Sequence, residues 1–394
     1  MIPRADKSPT AIDWLESAFF RGVARVLFLF RGKRRMDEDY LKSALSFLLI
    51  RPEGLGDIVL TLPAIAFLRR INPTARISMA VRPAFADFVR DTGIVDDVIR
   101  LDYPKRSRFS LMMIARFLRQ VAGLRHRFDV AWDFRGDPRN AIIGAWSAPV
   151  VAGRPAPETS FLLAVEYRGP QSNEVAAQNL AIVSAGLRLS PRVDDYFYGY
   201  RFQIVDEVSL SVAQLLAGWK DFFVVHPGAS RPSNRWSTPR WRALIVKLLA
   251  AGETVVITGA GREEREVIEA TLAGLEPNAR LLNLLDRTSC TELAGIIELA
   301  KAVISPDTGV AHIAYARGVP SVTLFGSDSE TVWGHETPIN QPVYVNLPCR
   351  PCLAFQCPRL DFPMECMERI GVDDVFARLQ RVAGTRLRDN VLRR

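Results

Sequence analysis

The sequence predicts an α/β protein of two Rossmann-like halves, and three observations predict it. Short apolar runs of the kind buried parallel strands show alternate with segments of helical period along most of the chain. The alternation starts near residue 47, loses regularity over 155–201 and begins again beyond it. A chain of 394 residues, 48% of them hydrophobic, also exceeds what a single core usually organises. Alternation of this kind builds a parallel sheet covered by helices on both faces.

The first half is organised around residues 47–70, FLLIRPEGLGDIVLTLPAIAFLRR. Leu48 to Ile50 read as a strand, Gly54-Leu55-Gly56-Asp57 as a turn, and Ile58, Leu62, Ile65 and Leu68 as the apolar face of a helix. Open α/β sheets collect ligands outside the carboxyl ends of their strands, so Asp57 stands where chemistry is usually done. The positive end of the helix macrodipole keeps a carboxylate there ionised. Simple capping of the helix is the competing reading. A strand over 76–81, a helix over 84–92, a strand over 95–101, a helix over 111–124 and a strand over 129–134 follow. A helix over 175–186 interrupts the irregular stretch.

The second half repeats this logic. Helices are expected over 208–219, 239–250, 263–272, 291–300 and 310–316, and strands over 222–226 and 254–258. Residues 303–304 and 322–325 read as the last two strands, and 371–387 as the final helix. The expected division is an extension over 1–45, a first domain over 46–200, a second over 201–345, and a cysteine-containing tail with the C-terminal helix over 346–394.

A formal net charge of +8 points to an anionic partner, either a phosphorylated small molecule or an anionic membrane. The chain has no RNA-binding aromatic signature and no zinc-finger spacing, which argues against nucleic acid. The five cysteines, Cys290, Cys349, Cys352, Cys357 and Cys366, are too few and too clustered for a disulfide scaffold and indicate a reducing, cytoplasmic compartment. No apolar span is long enough to cross a bilayer.

Residues 11–31 are too interrupted by charge for a transmembrane helix and lack a signal-peptide cleavage site. Wound as a helix, Leu15, Phe19, Val23, Val26 and Phe30 share a face, with Arg21, Arg25 and Arg31 opposite. Lys33, Arg34 and Arg35 extend the basic cluster. Such a helix lies in an anionic membrane interface, so residues 11–35 are expected to hold the protein peripherally on an anionic membrane surface. Glu16 falls on the apolar side and weakens this reading; the alternative is packing on the protein's own surface or on a second subunit.

Three loops of the second half fall after strands. In His226-Pro227-Gly228-Ala229-Ser230, Gly228 lets a backbone approach a ligand closely and Ser230 offers a hydroxyl; Arg235, followed by Trp236, offers a planar fork to phosphate oxygens. Thr258-Gly259-Ala260-Gly261 resembles half a dinucleotide fingerprint, and Glu263 is suited either to ribose hydroxyls or to the first turn of its helix. Ser305-Pro306-Asp307-Thr308-Gly309 opens a helix whose free amides, with the Thr308 hydroxyl, make an anion site; His312 lies one turn further on. Asp-Thr-Gly also marks aspartic proteases, but there it occurs twice in an all-β fold, whereas here it occurs once and feeds a helix.

Taken together and in order, Gly56-Asp57 through Thr61-Leu62-Pro63, His226-Pro227-Gly228 with Arg235-Trp236, and Asp307-Thr308-Gly309 through His312 resemble glycosyltransferase family 9, the heptosyltransferases of lipopolysaccharide core assembly. The resemblance implies a GT-B architecture, two Rossmann-like domains facing across a cleft, the first for acceptor and the second for nucleotide-sugar donor. It implies inversion at the anomeric carbon with no cofactor or bound metal, ADP-heptose as donor and a glycolipid such as the lipid A core as acceptor. Asp57 matches the family's base, with Gly54 and Gly56 in the acceptor-side loop. Ser230, Arg235, Glu263, Asp307, Thr308, Gly309 and His312 match the donor side. Arg235 stands where many members carry lysine, which keeps the charge and changes the geometry.

The spacing Cys349-x2-Cys352-x4-Cys357-x8-Cys366 offers four thiolates to zinc, with reduced, partly buried thiols as the other reading. Two readings from other classes use the same donor loops: a GT-B-fold nucleotide-sugar epimerase, and a non-catalytic nucleotide-sugar binding protein that has no need of Asp57. No full dinucleotide fingerprint supports an oxidoreductase.

Overall fold

The computed structural model describes residues 36–103, 111–155, 159–169, 174–185 and 204–392, with scattered positions over 18–26 and 187–192. Residues 7–203 and 204–394 form two compact units. The first runs α1 (Glu38–Ser43), β1 (Ser46–Ile50), α2 (Leu55–Val59), α3 (Leu62–Ile71), β2 (Arg76–Val81), α4 (Pro83–Asp91), β3 (Asp97–Arg100), α5 (Leu111–Ala122), β4 (Val130–Asp133), α6 (Pro138–Ser147), β5 (Val150–Gly153), β6 (Val165–Glu166) and α7 (Val175–Ser184). Its six strands pair in the order β3-β2-β1-β4-β5-β6, all parallel.

Strand β1 occupies the centre because Phe47 to Ile50 carry no polar side chain and are fully buried. The ring of Phe47 meets Trp132 of β4 edge-on at 5.2 Å. Asp129 fastens the start of the strand: its Oδ2 accepts hydrogen bonds from the amides of Leu45 and Ser46 and from the Ser46 hydroxyl, at 2.8, 2.9 and 2.9 Å. Both strands therefore end together, and the loops that leave them are brought to one place.

The second unit contains α8 (Asp206–Leu216), β7 (Phe222–Val225), α9 (Thr238–Ala250), β8 (Thr254–Ile257), α10 (Arg262–Leu272), β9 (Leu281–Asn283), α11 (Cys290–Leu299), β10 (Ala302–Pro306), α12 (Gly309–Arg317), β11 (Ser321–Leu324), α13 (Glu330–Trp333), β12 (Asn340–Val343), α14 (Glu365–Glu368) and α15 (Val372–Leu392). The parallel order is β12-β11-β10-β7-β8-β9. Counted within its own unit, each sheet has the order third, second, first, fourth, fifth, sixth. The order reverses between β1 and β4 and again between β7 and β10, and such reversal points hold the ligands of doubly wound sheets.

Several described elements lie outside the periodic segments read from the sequence, among them β5, β6, β9, β12 and α6. Strands β6, β9 and β12 are sheet edges, and β12 reads Asn-Gln-Pro-Val, where a proline is tolerated because one side of the strand needs no donor. Helix α6 is buried on most of its circumference, so it has no polar face to mark its period, and β5 follows it after two residues. The segment beyond 345 is no separate tail: Cys366, Met367, Ile370, Val375 and Leu379 share a core with Trp236, Trp241 and Leu244.

The amphipathic face expected over 11–31 and the basic cluster over 31–35 lie largely outside the described residues. Of the described positions, Phe19 and Val26 are exposed while Val23 packs against the core of the first unit. No described helix is long and apolar enough to cross a membrane.

Candidate active site

At the end of β1 the chain turns through Arg51, Pro52 and Glu53 into α2, which carries Asp57 in its first turn. The Asp57 carboxylate folds back over the turn, with Oδ2 accepting from the Gly54 amide at 3.1 Å and Oδ1 from Arg51 Nη2 at 3.3 Å. Arg51 Nε also donates to the Asp57 carbonyl at 3.1 Å, and the Thr61 hydroxyl to the same oxygen at 2.8 Å. A Cβ on Gly54 would stand 3.3 Å from Asp57 Oδ2, so glycine leaves the carboxylate room to reach that amide. Asp57 thus does cap its helix, yet its side chain remains 26% exposed and each oxygen keeps a lone pair for a further donor.

Arg51, 5% exposed, also faces a second carboxylate: Nη1 lies 3.6 Å from Glu53 Oε2. From the loop after β4, Arg135 Nη1 reaches within 3.8 Å of Glu53 Oε1. Burial pushes the Glu53 carboxyl up, Arg51 and Arg135 pull it down, and the charge of Asp57 adds to the rise. The reversal point of the first sheet is therefore occupied by charges of alternating sign, with Arg51 and Glu53 buried among them.

Behind them lies a polar network. Asp133, at the end of β4, accepts from Asn140 Nδ2 and the Arg135 amide, both at 2.9 Å, while its Oδ2 is buried without a hydrogen-bond partner. Burial pushes its carboxyl up to about 7. Burial also opposes the charge of Asp137, but Arg139 outweighs it with hydrogen bonds of 2.8 and 2.6 Å and holds that carboxyl below the usual range. Arg154, after β5, donates to Gln178 and lies 5.9 Å from the Tyr167 ring centre, and burial lowers its proton affinity.

In the second unit, β7 ends at His226, whose Nδ1 lies 3.2 Å from Thr258 Oγ1 and whose Nε2 lies 3.6 Å from Glu264 Oε1. Arg235 Nε donates to the Ala229 carbonyl at 2.9 Å and Nη2 to Glu263 Oε2 at 2.8 Å. Glu263 is 68% exposed, so this pair is open to exchange with a ligand. Ser230 is exposed beside it. After β10, Thr308 is the N-cap of α12 and makes no side-chain capping bond; its hydroxyl is buried without a hydrogen-bond partner. Asp307 turns its carboxylate to His312, with Oδ1 3.6 Å from Nε2, and His312 is buried against Tyr315 and Trp333.

Two readings of the sequence change here. Gly228 makes room for the protein's own Glu264: a Cβ there would stand 2.5 Å from that side chain's Cδ. Glu264, rather than Glu263, is the glutamate set under the β7 loop. Burial works against its charge, but His226 and the Ala260 amide hold its carboxyl below the usual range. The zinc reading also loses its geometry. Cys349 is exposed and Cys366 buried, and no group of three or more His, Cys, Asp or Glu is placed to hold a metal among the described residues. Burial raises the Cys366 thiol, and the thiols of Cys352 and Cys357 add to it.

The profile of glycosyltransferase family 9 (heptosyltransferase) matches residues 125–361, more than half of the chain. The chain belongs to this family. It is a glycosyltransferase of the heptosyltransferase kind. Lipopolysaccharide heptosyltransferase 1 of Pseudomonas aeruginosa is 25% identical over 322 residues, which cover 79% of this chain and 86% of the relative. The solved structure of ADP-heptose lipopolysaccharide heptosyltransferase II of E. coli superposes with a TM-score of 0.71 at 17% identity, covering 87% of this chain and 99% of that one. The E. coli heptosyltransferase WaaC, solved with ADP, gives a TM-score of 0.64 at 18% identity, covering 85% and 99%. The two parallel sheets are the α/β GT-B fold expected from the sequence.

The family member's buried Asp133 has a consequence for stability. Its carboxyl holds a proton to about pH 7 in the folded chain, against an ordinary value of 3.8. Between these values the unfolded chain loses the proton first, so this group's contribution is complete at low pH and is lost as pH rises through the upper value. Asp133→Asn is expected to flatten the fall in denaturant midpoint between about pH 4 and pH 7. A variant with the wild-type slope would show that Asp133 is ionised in the fold.

Proposed function

We propose that the chain transfers heptose from ADP-heptose to a hydroxyl of a lipopolysaccharide core or related glycolipid, with inversion at the anomeric carbon and without a bound metal. The observation that carries this reading is the start of α12. In a family 9 chain, a helix opens directly after the strand beside the sheet's reversal point, with a buried hydroxyl that no protein group satisfies. First-turn amides have no intrahelical acceptor, and such a helix start takes a phosphate oxygen readily. ADP in the WaaC structure supports the choice of nucleotide.

In this mechanism Asp57 takes the proton of the acceptor hydroxyl as that oxygen forms its bond to the anomeric carbon. The bond from that carbon to the diphosphate breaks on the opposite face, and its electron pair leaves with the nucleotide. An alcohol becomes far more acidic as its oxygen bonds to carbon, so a carboxylate suffices as base. Arg235, released from Glu263, and the α12 start meet the charge that grows on the departing diphosphate. Ser230, Asp307, Gly309 and His312 shape this donor side, and Gly54 and Gly56 the acceptor side.

A glycolipid acceptor and the net charge of +8 support a position on the cytoplasmic face of an anionic membrane, with residues 11–35 as the contact. Deleting residues 1–40 is expected to move the protein from the membrane pellet to the supernatant; an unchanged distribution would remove this part of the reading.

Titration with ADP, UDP and GDP in the presence of EDTA tests the donor. ADP is expected to bind in preference, and ADP-heptose to support transfer to a lipid A core acceptor. Preference for UDP or GDP would replace the sugar, and no binding of any would end the ADP-heptose reading. Asp57→Asn is expected to lower kcat by about 10²- to 10⁴-fold with ADP affinity nearly unchanged. Near-wild-type turnover in that variant would show that Asp57 is not the base.

A further inference from the structure

We propose that Glu53 is a positioning residue of the transfer step: it shares the Arg51 guanidinium with Asp57 and so keeps that arginine from neutralising the base. The inference rests on the function proposed above.

An arginine that held Asp57 alone would orient it and weaken it together, because a cation beside a carboxylate stabilises the ionised form against the proton it must accept. Here the same guanidinium faces two carboxylates, Nη2 at 3.3 Å from Asp57 and Nη1 at 3.6 Å from Glu53. Arg51 and Glu53 are nearly out of solvent, with side chains 5% and 8% exposed. In such surroundings the field of a charge is poorly screened. Glu53 Oε2 has no hydrogen-bond donor, so its contact with Arg51 is a matter of charge rather than of a directed bond.

Among the described residues, the other titratable groups facing Glu53 are Arg135 from the loop after β4 and Tyr103, and those facing Arg51 include Arg154. The phenol of Tyr103 is held well above its ordinary value, chiefly by burial, and stays neutral. Glu53 is thus the carboxylate set against the cations around the base. The charge of Asp57 raises the proton affinity of Glu53, which marks the two carboxylates as coupled. Placement by Arg51 and basicity are thereby reconciled.

Glu53→Gln keeps the shape and removes the charge. With ADP-heptose and a lipid A core acceptor, kcat on the plateau should fall about three- to tenfold, and the acid limb of the kcat–pH profile should move down by about one unit. KM for the donor should be unchanged, and Glu53→Asp should recover most of the loss. A Glu53→Gln enzyme with a lower Tm but the wild-type plateau and acid limb would reduce Glu53 to a structural role and overturn the proposal.

A second arm needs no turnover. In a ¹³C carboxyl NMR titration, the midpoint of Glu53 should fall when Asp57 is replaced by Asn, because the neighbouring charge is gone. A Glu53 midpoint that stays in place would overturn the coupling. Failure of the wild type to transfer heptose would instead end the proposed donor and acceptor, and the NMR titration would still decide whether the two carboxylates are coupled.

Discussion

In a parallel sheet whose strand order turns back on itself, the loops leaving the two strands at the turning point run to opposite faces and leave the strand ends uncovered. This constraint governs both units. In the first, the uncovered ends of β1 and β4 hold Arg51, Glu53, Asp57, Asp133 and Arg135. In the second, those of β7 and β10 hold His226, Asp307 and Thr308. One topology used twice produces two sites of different character, because what fills the gap is decided by the residues placed directly after each strand. The first is filled by charge of both signs, part of it buried, and the second by a helix start and an unsatisfied hydroxyl.

The central elements were legible in the sequence because a strand buried on both faces must be apolar throughout, as Phe47 to Ile50 and Phe222 to Val225 are. Edge strands escape that requirement. Asn340 to Val343 pairs on one side, tolerates Pro342 and Gln341, and offers no pattern to find. Helix α6 is hidden for the opposite reason: buried on nearly all sides, it lacks the alternation of polar and apolar residues by which surface helices announce their period.

Residues of the candidate site were legible where local geometry alone dictates them. Asp57 three residues after Gly54 and Thr308 before Gly309 each sit at a helix start, and a helix start is recognisable from neighbours in sequence. Relations between distant segments were not. That Glu264 rather than Glu263 faces His226 depends on the phase of α10, and a shift of one residue rotates a helical side chain by about 100°. Likewise Arg235 meets Glu263 across a separation of 28 residues. The glycine of His-Pro-Gly looks from sequence like room for a ligand; only the packing of Glu264 shows that the room is already used.

The family profile begins at residue 125, beyond the β1 loop, so the reading of Arg51, Glu53 and Asp57 stands on the geometry of the first unit. That geometry has a cost. Buried ion clusters seldom add stability, because desolvating each charge opposes what its partners return, and apolar replacements of similar volume are often at least as stable. Glu53 shows the strain of this arrangement, with a buried oxygen that accepts no hydrogen bond and a carboxyl pushed up by its surroundings. A residue with no task at that position would be better apolar. Under the proposed mechanism its charge stands beside a base that must be fixed in place by a cation and yet remain able to take a proton.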